Sequence, residues 1–305
     1  MSTPLRRRLA RRAGLAARIR AFFAERDVLE VGTELTVAGV TDVHLDSVAL
    51  ADGGYLRTSP EYAHKRLLAA GAGDLYELGP VVRAGEHGRH HRREFWMLEW
   101  YRTGFDARRL ADEVIALIRH AGPDRDWTVV QTHWTDEARA VLGFDPHRAD
   151  VERIAEALPE APDGLDRSGL YDWLLAMRIQ PRLAPGRLTV IQRFPACQAA
   201  LARLSPDDPR TAERFEVFAG PLELANGYHE LTDPAEQRRR FEADNATRRS
   251  LGRPEMPVDD ALLAALDAGL PDCAGVALGF ERLLMAVHGL DDIADAEGLT
   301  GAVDR

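Results

Sequence analysis

Gly275-Val276-Ala277-Leu278-Gly279-Phe280-Glu281-Arg282-Leu283-Leu284-Met285 reads as an apolar strand that turns through Gly279 into a helix carrying Arg282 in its first turn. Two other segments share this character. Val81-Val82-Arg83 ends a strand on an arginine just before a basic loop, and residues 222–230 carry Glu223 and Glu230 along another strand. Fixed guanidinium groups suit phosphates and carboxylates suit Mg²⁺, so the three segments together fit ATP. None has the spacing of a Rossmann or P-loop nucleotide motif.

Between residues 84 and 94 the chain is almost wholly polar or charged, and residues 75–83 and 95–101 on either side read as strands. That is too much charge for a passive turn, and the loop is read as functional. His87, His90 and His91 lie among Arg89, Arg92 and Arg93, whose charges would repel a cation, so a phosphate clamp fits this loop better than a metal site.

Upstream, residues 5–25 have apolar residues near helical spacing with arginines between them, and residues 42–57 read as short strands around Asp52-Gly53-Gly54. Thr58-Ser59-Pro60-Glu61 opens a helix to about residue 70, with Ser59 as N-cap and Pro60 in first position. Residues 107–120 form a helix, and residues 122–186 read as helical and loop-rich. Strands are expected at 188–192, 215–218 and 222–228, and helices at 234–251 and 260–268. The arginines at 238–240 and 248–249 read as a solvated helix face. Glu223 and Glu230 are an odd number of residues apart on one strand, so a bulge or bend is expected between them.

The 305 residues are 45% hydrophobic and 29% charged, the composition of a globular protein. A formal charge of −10 disfavours a general nucleic-acid coat. Cys197 and Cys273 belong to no CxxC pair, and neither a membrane-spanning run nor a secretory leader is evident. A cytoplasmic protein with no membrane partner is the expectation. Lys65 is the only lysine among 39 basic residues, which reads as codon bias.

With these segments in place, the chain resembles the class II aminoacyl-tRNA synthetases. Val81-Val82-Arg83 with Phe95-Trp96-Met97-Leu98-Glu99-Trp100-Tyr101 is similar to motif 2, and residues 275–282 to motif 3. Thr58-Ser59-Pro60-Glu61, Phe194-Pro195-Ala196 and residues 223–233 resemble the lysyl branch, and further its truncated paralogues, which join (R)-β-lysine to elongation factor P. Ala277 stands where lysyl-tRNA synthetases usually have Gly. The segment similar to motif 1, residues 28–37, begins too early for an N-terminal OB-fold that reads an anticodon. One catalytic domain over residues 1–305 is therefore expected, with no direct anticodon recognition.

The resemblance implies an α+β fold, an antiparallel sheet flanked by helices, ATP and Mg²⁺ as cofactors, and a homodimer. Arg83 and Arg282 are the implied catalytic residues. Ser59, Pro60, Glu61, Glu99, Tyr101, Asn226 and Glu230 would bind the diamine substrate. Arg83, Ala84, Gly85, Glu86, Arg92, Glu223, Leu224, Gly279 and Arg282 would bind ATP, and Glu223 and Glu230 the metal. There are departures from the family pattern. Gly85 takes the place of the glutamate that contacts adenine, with Glu86 one position on, Arg92 replaces an Asn, and Thr33-Glu34 replaces Thr-Pro. Two rivals stay open: an enzyme that activates α-lysine, and a silent regulatory paralogue.

Overall fold

The computed structural model describes residues 4–297 apart from Thr41, His44 and Asp52. Among these, an eight-stranded sheet is the frame. In chain order its strands are β1 (Leu29–Glu30), β4 (Leu75–Val82), β5 (Glu94–Thr103), β6 (Thr128–His133), β7 (Arg187–Pro195), β8 (Thr211–Ala219), β9 (Leu222–His229) and β10 (Cys273–Gly279). β2 (Thr36–Val37) and β3 (Tyr55–Leu56) pair separately. The spatial order is β1-β4-β5-β10-β9-β8-β7-β6.

The centre is antiparallel, as the resemblance implies, but both edge pairs, β1 with β4 and β6 with β7, are parallel. β6 falls in the segment expected to be helical and loop-rich. It is a half-exposed edge strand and carries no long apolar run to announce it. The strand expected over residues 28–37 is likewise split into β1 and β2, which belong to different sheets. Residues 42–57 make only single bridges besides β3, and Asp52 of their turn lies outside the described residues.

Behind the sheet, α1 (Pro4–Ala24) and α3 (Ala107–Ala121) bury one apolar stripe each, with Leu15, Ile19, Phe22 and Phe23 on the first and Leu110, Val114 and Ile118 on the second. Asp106 caps α3 by accepting the Arg109 N–H at 2.7 Å. α9 (Phe280–His288) continues straight from β10 and packs into the same core. A second lobe, α4 (Trp134–Leu142), α5 (Val151–Glu156) and α6 (Arg167–Leu174), has its own core around Trp134, Tyr171 and Phe218.

On the front, α2 (Glu61–Ala69), α7 (Pro234–Ser250) and α8 (Asp260–Gly269) share a core of Tyr62, Phe241, Leu262 and Cys273. α2 starts one residue after the expected proline, yet Ser59 Oγ does accept the Glu61 N–H at 3.0 Å. The arginine runs of α7 are not all solvated. Arg248 is 1% exposed and its guanidinium donates to the carbonyls of Asp42 and Pro254 and pairs with Asp46 at 3.0 Å, while Arg240 donates to the carbonyls of Ala200 and Ala202. Arg238 and Arg239 are exposed as expected.

Candidate active site

Side chains alternate along a strand, so β5, β10 and β9 present every second residue to the front of the sheet. The register aligns them: Tyr101, Gly275 and Tyr228 lie in one row, and Glu99, Ala277 and Asn226 in the next. Their neighbours Leu98, Trp100, Val276, Leu278 and Ala225 point into the core behind. These rows floor a cavity of about 700 Å³, walled by the start of α2, the loop after β4 and the first turn of α9. That volume is in the range of a site for a nucleotide or a small substrate.

The bulge expected on β9 is there. Val217 pairs with Ala225 and Phe218 with Glu223, so Leu224 is the extra residue. It restores parity, and Glu223, Leu224, Asn226 and Tyr228 all line the cavity.

Gly275 is required by contact. A Cβ there would lie 2.2 Å from the Tyr101 ring and 2.5 Å from Glu230 Oε1, too close for any side chain.

One end of the cavity is acidic. Glu99, 2% exposed, accepts from Ser59 Oγ at 2.7 Å and from Tyr101 Oη at 2.9 Å. Beside it, Glu61 lines the cavity while its Oε1 meets Lys65 Nζ at 2.7 Å. Lys65 Nζ also lies 2.7 Å from Glu230 Oε2. Burial raises the Glu61 and Glu230 carboxyls, Glu230 to about 8, against the lowering pull of Lys65. Burial by itself would lower the Lys65 ammonium, but Glu230 and Glu61 outweigh it and hold it well above its ordinary value.

Behind Glu99, burial would lower His64, but hydrogen bonds and charge from Glu77 and Glu99 raise it. Its Nε2 is 3.1 Å from Glu77 Oε2. Glu77 also receives Arg57 Nη2 at 2.6 Å and Thr33 Oγ1 at 2.7 Å. Burial would raise Glu77, yet the hydrogen bonds from His64, Arg57 and Thr33 together bring it down to about 2.

The other end is basic. Arg83 Nε donates to the Thr58 carbonyl at 3.2 Å, its guanidinium lies over the Phe95 ring, and Nη1 is 3.5 Å from Glu86 Oε1. Arg282 donates to the Glu223 carbonyl at 3.1 Å and meets its carboxylate at 3.3 Å. Arg282 also donates to the His90 carbonyl at 3.2 Å, and its Nη2 to His91 Nε2 at 2.6 Å. That last bond needs a neutral imidazole, in keeping with burial and Arg282 both lowering His91. The loop between β4 and β5 thus leans on Arg282.

Of the residues expected from the sequence, Ser59, Pro60, Glu61, Arg83, Glu86, Arg92, Glu99, Tyr101, Glu223, Leu224, Asn226, Gly279 and Arg282 line this one cavity. Ala84 and Gly85 do not. Gly85 sits at φ +79°, a left-handed turn after which Glu86 faces the cavity. Arg92 is pinned to Glu297 at 2.5 Å and to Asp292 at 3.5 Å. Glu230 is fully buried behind Lys65 and is not a lining residue. Glu223 and Glu230 therefore serve different ion pairs, and among the described residues no group of three or more His, Cys, Asp or Glu gathers as for a metal.

Sequence reasoning missed Lys65, His64, Arg57, Glu77 and Arg214. Arg214 lines the cavity and holds Asn226 Oδ1 at 3.2 Å and Glu216 at 2.5 Å. The available signals were the Glu61–Lys65 spacing of four on a helix and the standing of Lys65 as the chain's single lysine.

A sheet of this order, with a cavity over β5, β10 and β9 that is acidic at one end and lined at the other by Arg83 and Arg282, defines a class. The family of class II tRNA synthetases (D, K and N) is matched over residues 1–297, and the chain belongs to it. Within that class the chain is 45% identical to the elongation factor P–(R)-β-lysine ligase of Salmonella gallinarum (strain 287/91 / NCTC 13346), over 97% of this chain and 95% of that protein. It is 44% identical to the ligase of the same name from Klebsiella pneumoniae (strain 342), with the same coverage. To that of Vibrio cholerae serotype O1 it is also 44% identical, over 93% of this chain and 92% of the relative.

Proposed function

We propose that this chain activates (R)-β-lysine as its adenylate at the expense of ATP and passes the acyl group to a lysine ε-amine of elongation factor P. The observation that carries the reading is one cavity with Glu61 and Glu99 at one end and Arg83 and Arg282 at the other. A diamine acid needs carboxylates for its ammonium groups and cations where its own carboxylate meets triphosphate. The similarity to the three ligases supports the choice of substrate and acceptor.

In the first step the substrate carboxylate attacks the α-phosphorus and pyrophosphate leaves. Arg83 binds the α-phosphate and the reacting carboxylate, and Arg282 lies by the adenine and the γ-phosphate. In the second step the acceptor amine attacks the acyl carbonyl, the amide forms and AMP leaves. Positioning and charge stabilisation carry both steps, without a side-chain nucleophile.

Of the two carboxylates expected to hold Mg²⁺, the surroundings favour one. Glu223, over a third exposed at the cavity, fits as a ligand beside phosphate oxygens, whereas Glu230, buried and paired with Lys65, does not. When bound, the ion would shield the charge of the phosphates. A homodimer and a cytoplasmic setting complete the proposal. Among the described residues no helix is long and apolar enough to cross a membrane.

The test is ATP–pyrophosphate exchange with (R)-β-lysine, α-lysine and a panel of other amino acids. Strongest exchange with (R)-β-lysine, and its incorporation into elongation factor P, is the expected result. Preference for α-lysine, or no exchange with any amino acid, would overturn the reading.

The acidic end also predicts a pH dependence. Burial raises Glu230 to about 8 and moves Glu61 in the same direction, so both carboxyls take up protons more readily than ordinary glutamates as pH falls, and lose their hold on an ammonium as they do. The KM for the amino acid should therefore rise as pH is lowered from 9 to 6, while the KM for ATP changes little. Steady-state exchange kinetics across that interval check it.

A further inference from the structure

Thirty-eight of the 39 basic residues are arginine, so the chain's one lysine marks a position where the general preference is broken. Lys65 is not on the surface, where such a preference is easily satisfied. Its side chain is 1% exposed in the front core, with Nζ 2.7 Å from Glu61 Oε1 and 2.7 Å from Glu230 Oε2. A compact ammonium fits between two carboxylate oxygens, whereas a planar guanidinium presents a wide fork.

Burying a lysine this deeply is costly, and two carboxylates repay the cost only if their geometry is kept. The three groups form a line. Glu230, with no exposure, is at the closed end, Lys65 is in the middle, and Glu61 alone faces the cavity. With one ammonium between two carboxylates, the line is balanced either by a proton on one carboxyl or by a second cation. A second cation has one way in, through the cavity to Glu61, and its arrival would release that proton.

We infer that Lys65 is a positioning residue that sets the selectivity for an amine-bearing substrate, by fixing Glu61 against Glu230 so that a substrate ammonium completes the charge of the line. Lys65 touches neither the cavity nor the reacting atoms, and its effect passes through Glu61. The inference rests on the proposed function and names the determinant of its substrate class.

The test compares wild type, Lys65→Met and Lys65→Arg in pyrophosphate exchange. The substrates are (R)-β-lysine and its two single-amine analogues, 3-aminohexanoic acid and 6-aminohexanoic acid. For Lys65→Met the expected result is a KM for the diamine raised about 100-fold, as for a buried pair cut on one side. The KM for ATP stays within about threefold, and the preference over at least one analogue collapses.

Lys65→Arg keeps the charge but not the compact fit, and loses part of that preference. It carries the test if thermal melting shows that the methionine variant does not fold. A uniform fall in kcat for all three acids, with the preference intact, would show a merely structural role and overturn the inference. If the wild type prefers α-lysine, the proposed substrate fails, and the same comparison with the single-amine analogues of α-lysine decides on Lys65. If the wild type activates no amino acid, the inference falls with the proposed function.

Discussion

Arg83→Ala reduces adenylate formation about 1,000-fold while the protein stays folded, because the side chain is partly exposed at the cavity and its bonds to the Thr58 carbonyl and Glu86 are peripheral to the core. The size follows from its proposed task. A fixed cation aimed at charge that builds up in the transition state contributes in the range of about 10²- to 10³-fold per donor, and in the proposed task Arg83 would serve both the phosphate and the carboxylate. Pyrophosphate exchange and a thermal melt on the same sample give the two numbers. Near wild-type exchange would remove Arg83 from the site. A large drop in melting temperature would mean that its bond to the Thr58 carbonyl holds the start of α2.

Glu77→Ala acts on the fold. It leaves Arg57, 2% exposed, without its carboxylate and takes a partner from His64 and Thr33. Cutting a buried pair on one side costs about 3–5 kcal/mol, more than a typical core truncation of a single methylene. Urea unfolding at neutral pH should show that loss as a lower midpoint with an unchanged slope.

The pH dependence has a definite sign. Glu77 is held down at about 2, so its contribution is present above the ordinary glutamate range and is lost as pH falls toward 2. Wild type should therefore lose stability over that acid interval, and the alanine variant should lose less of it. Equal stabilities at pH 7 would contradict the network.

Much of this was legible in the sequence because the signals are local. β4, β5, β10 and α9 announce themselves by apolar runs, a glycine turn and an arginine at each relevant end, and the odd spacing of Glu223 and Glu230 called for the bulge found at Leu224. What escaped is made by distant parts of the chain. Arg248 sits in an arginine run on a polar helix, and only the fold brings the irregular segment around Asp42 and Asp46 over it. Lys65 and Glu230 belong to different elements, and nothing in either neighbourhood points to the other. Glu77 reads as one more strand residue until Arg57, His64 and Thr33 converge on it. β6 escaped for a simpler reason, since an edge strand half in water lacks the apolar run that marks the central ones.

The middle strand of the floor, β10, offers the cavity Gly275, Ala277, Gly279 and Val276, whose side chain is buried in the core behind, while the strands on either side raise Glu99, Tyr101, Asn226 and Tyr228. The cavity is thus a trough whose bed is nearly bare main chain and whose banks carry the functional groups. In such a relief, depth and chemistry are separate variables. A single methyl added to or taken from the bed changes which carbon skeleton can lie flat, and every charge on the banks stays where it was. Ala277 is therefore the place where the smallest change in side-chain volume would alter the shape of the bed, while Arg83 and Arg282 stay where they are.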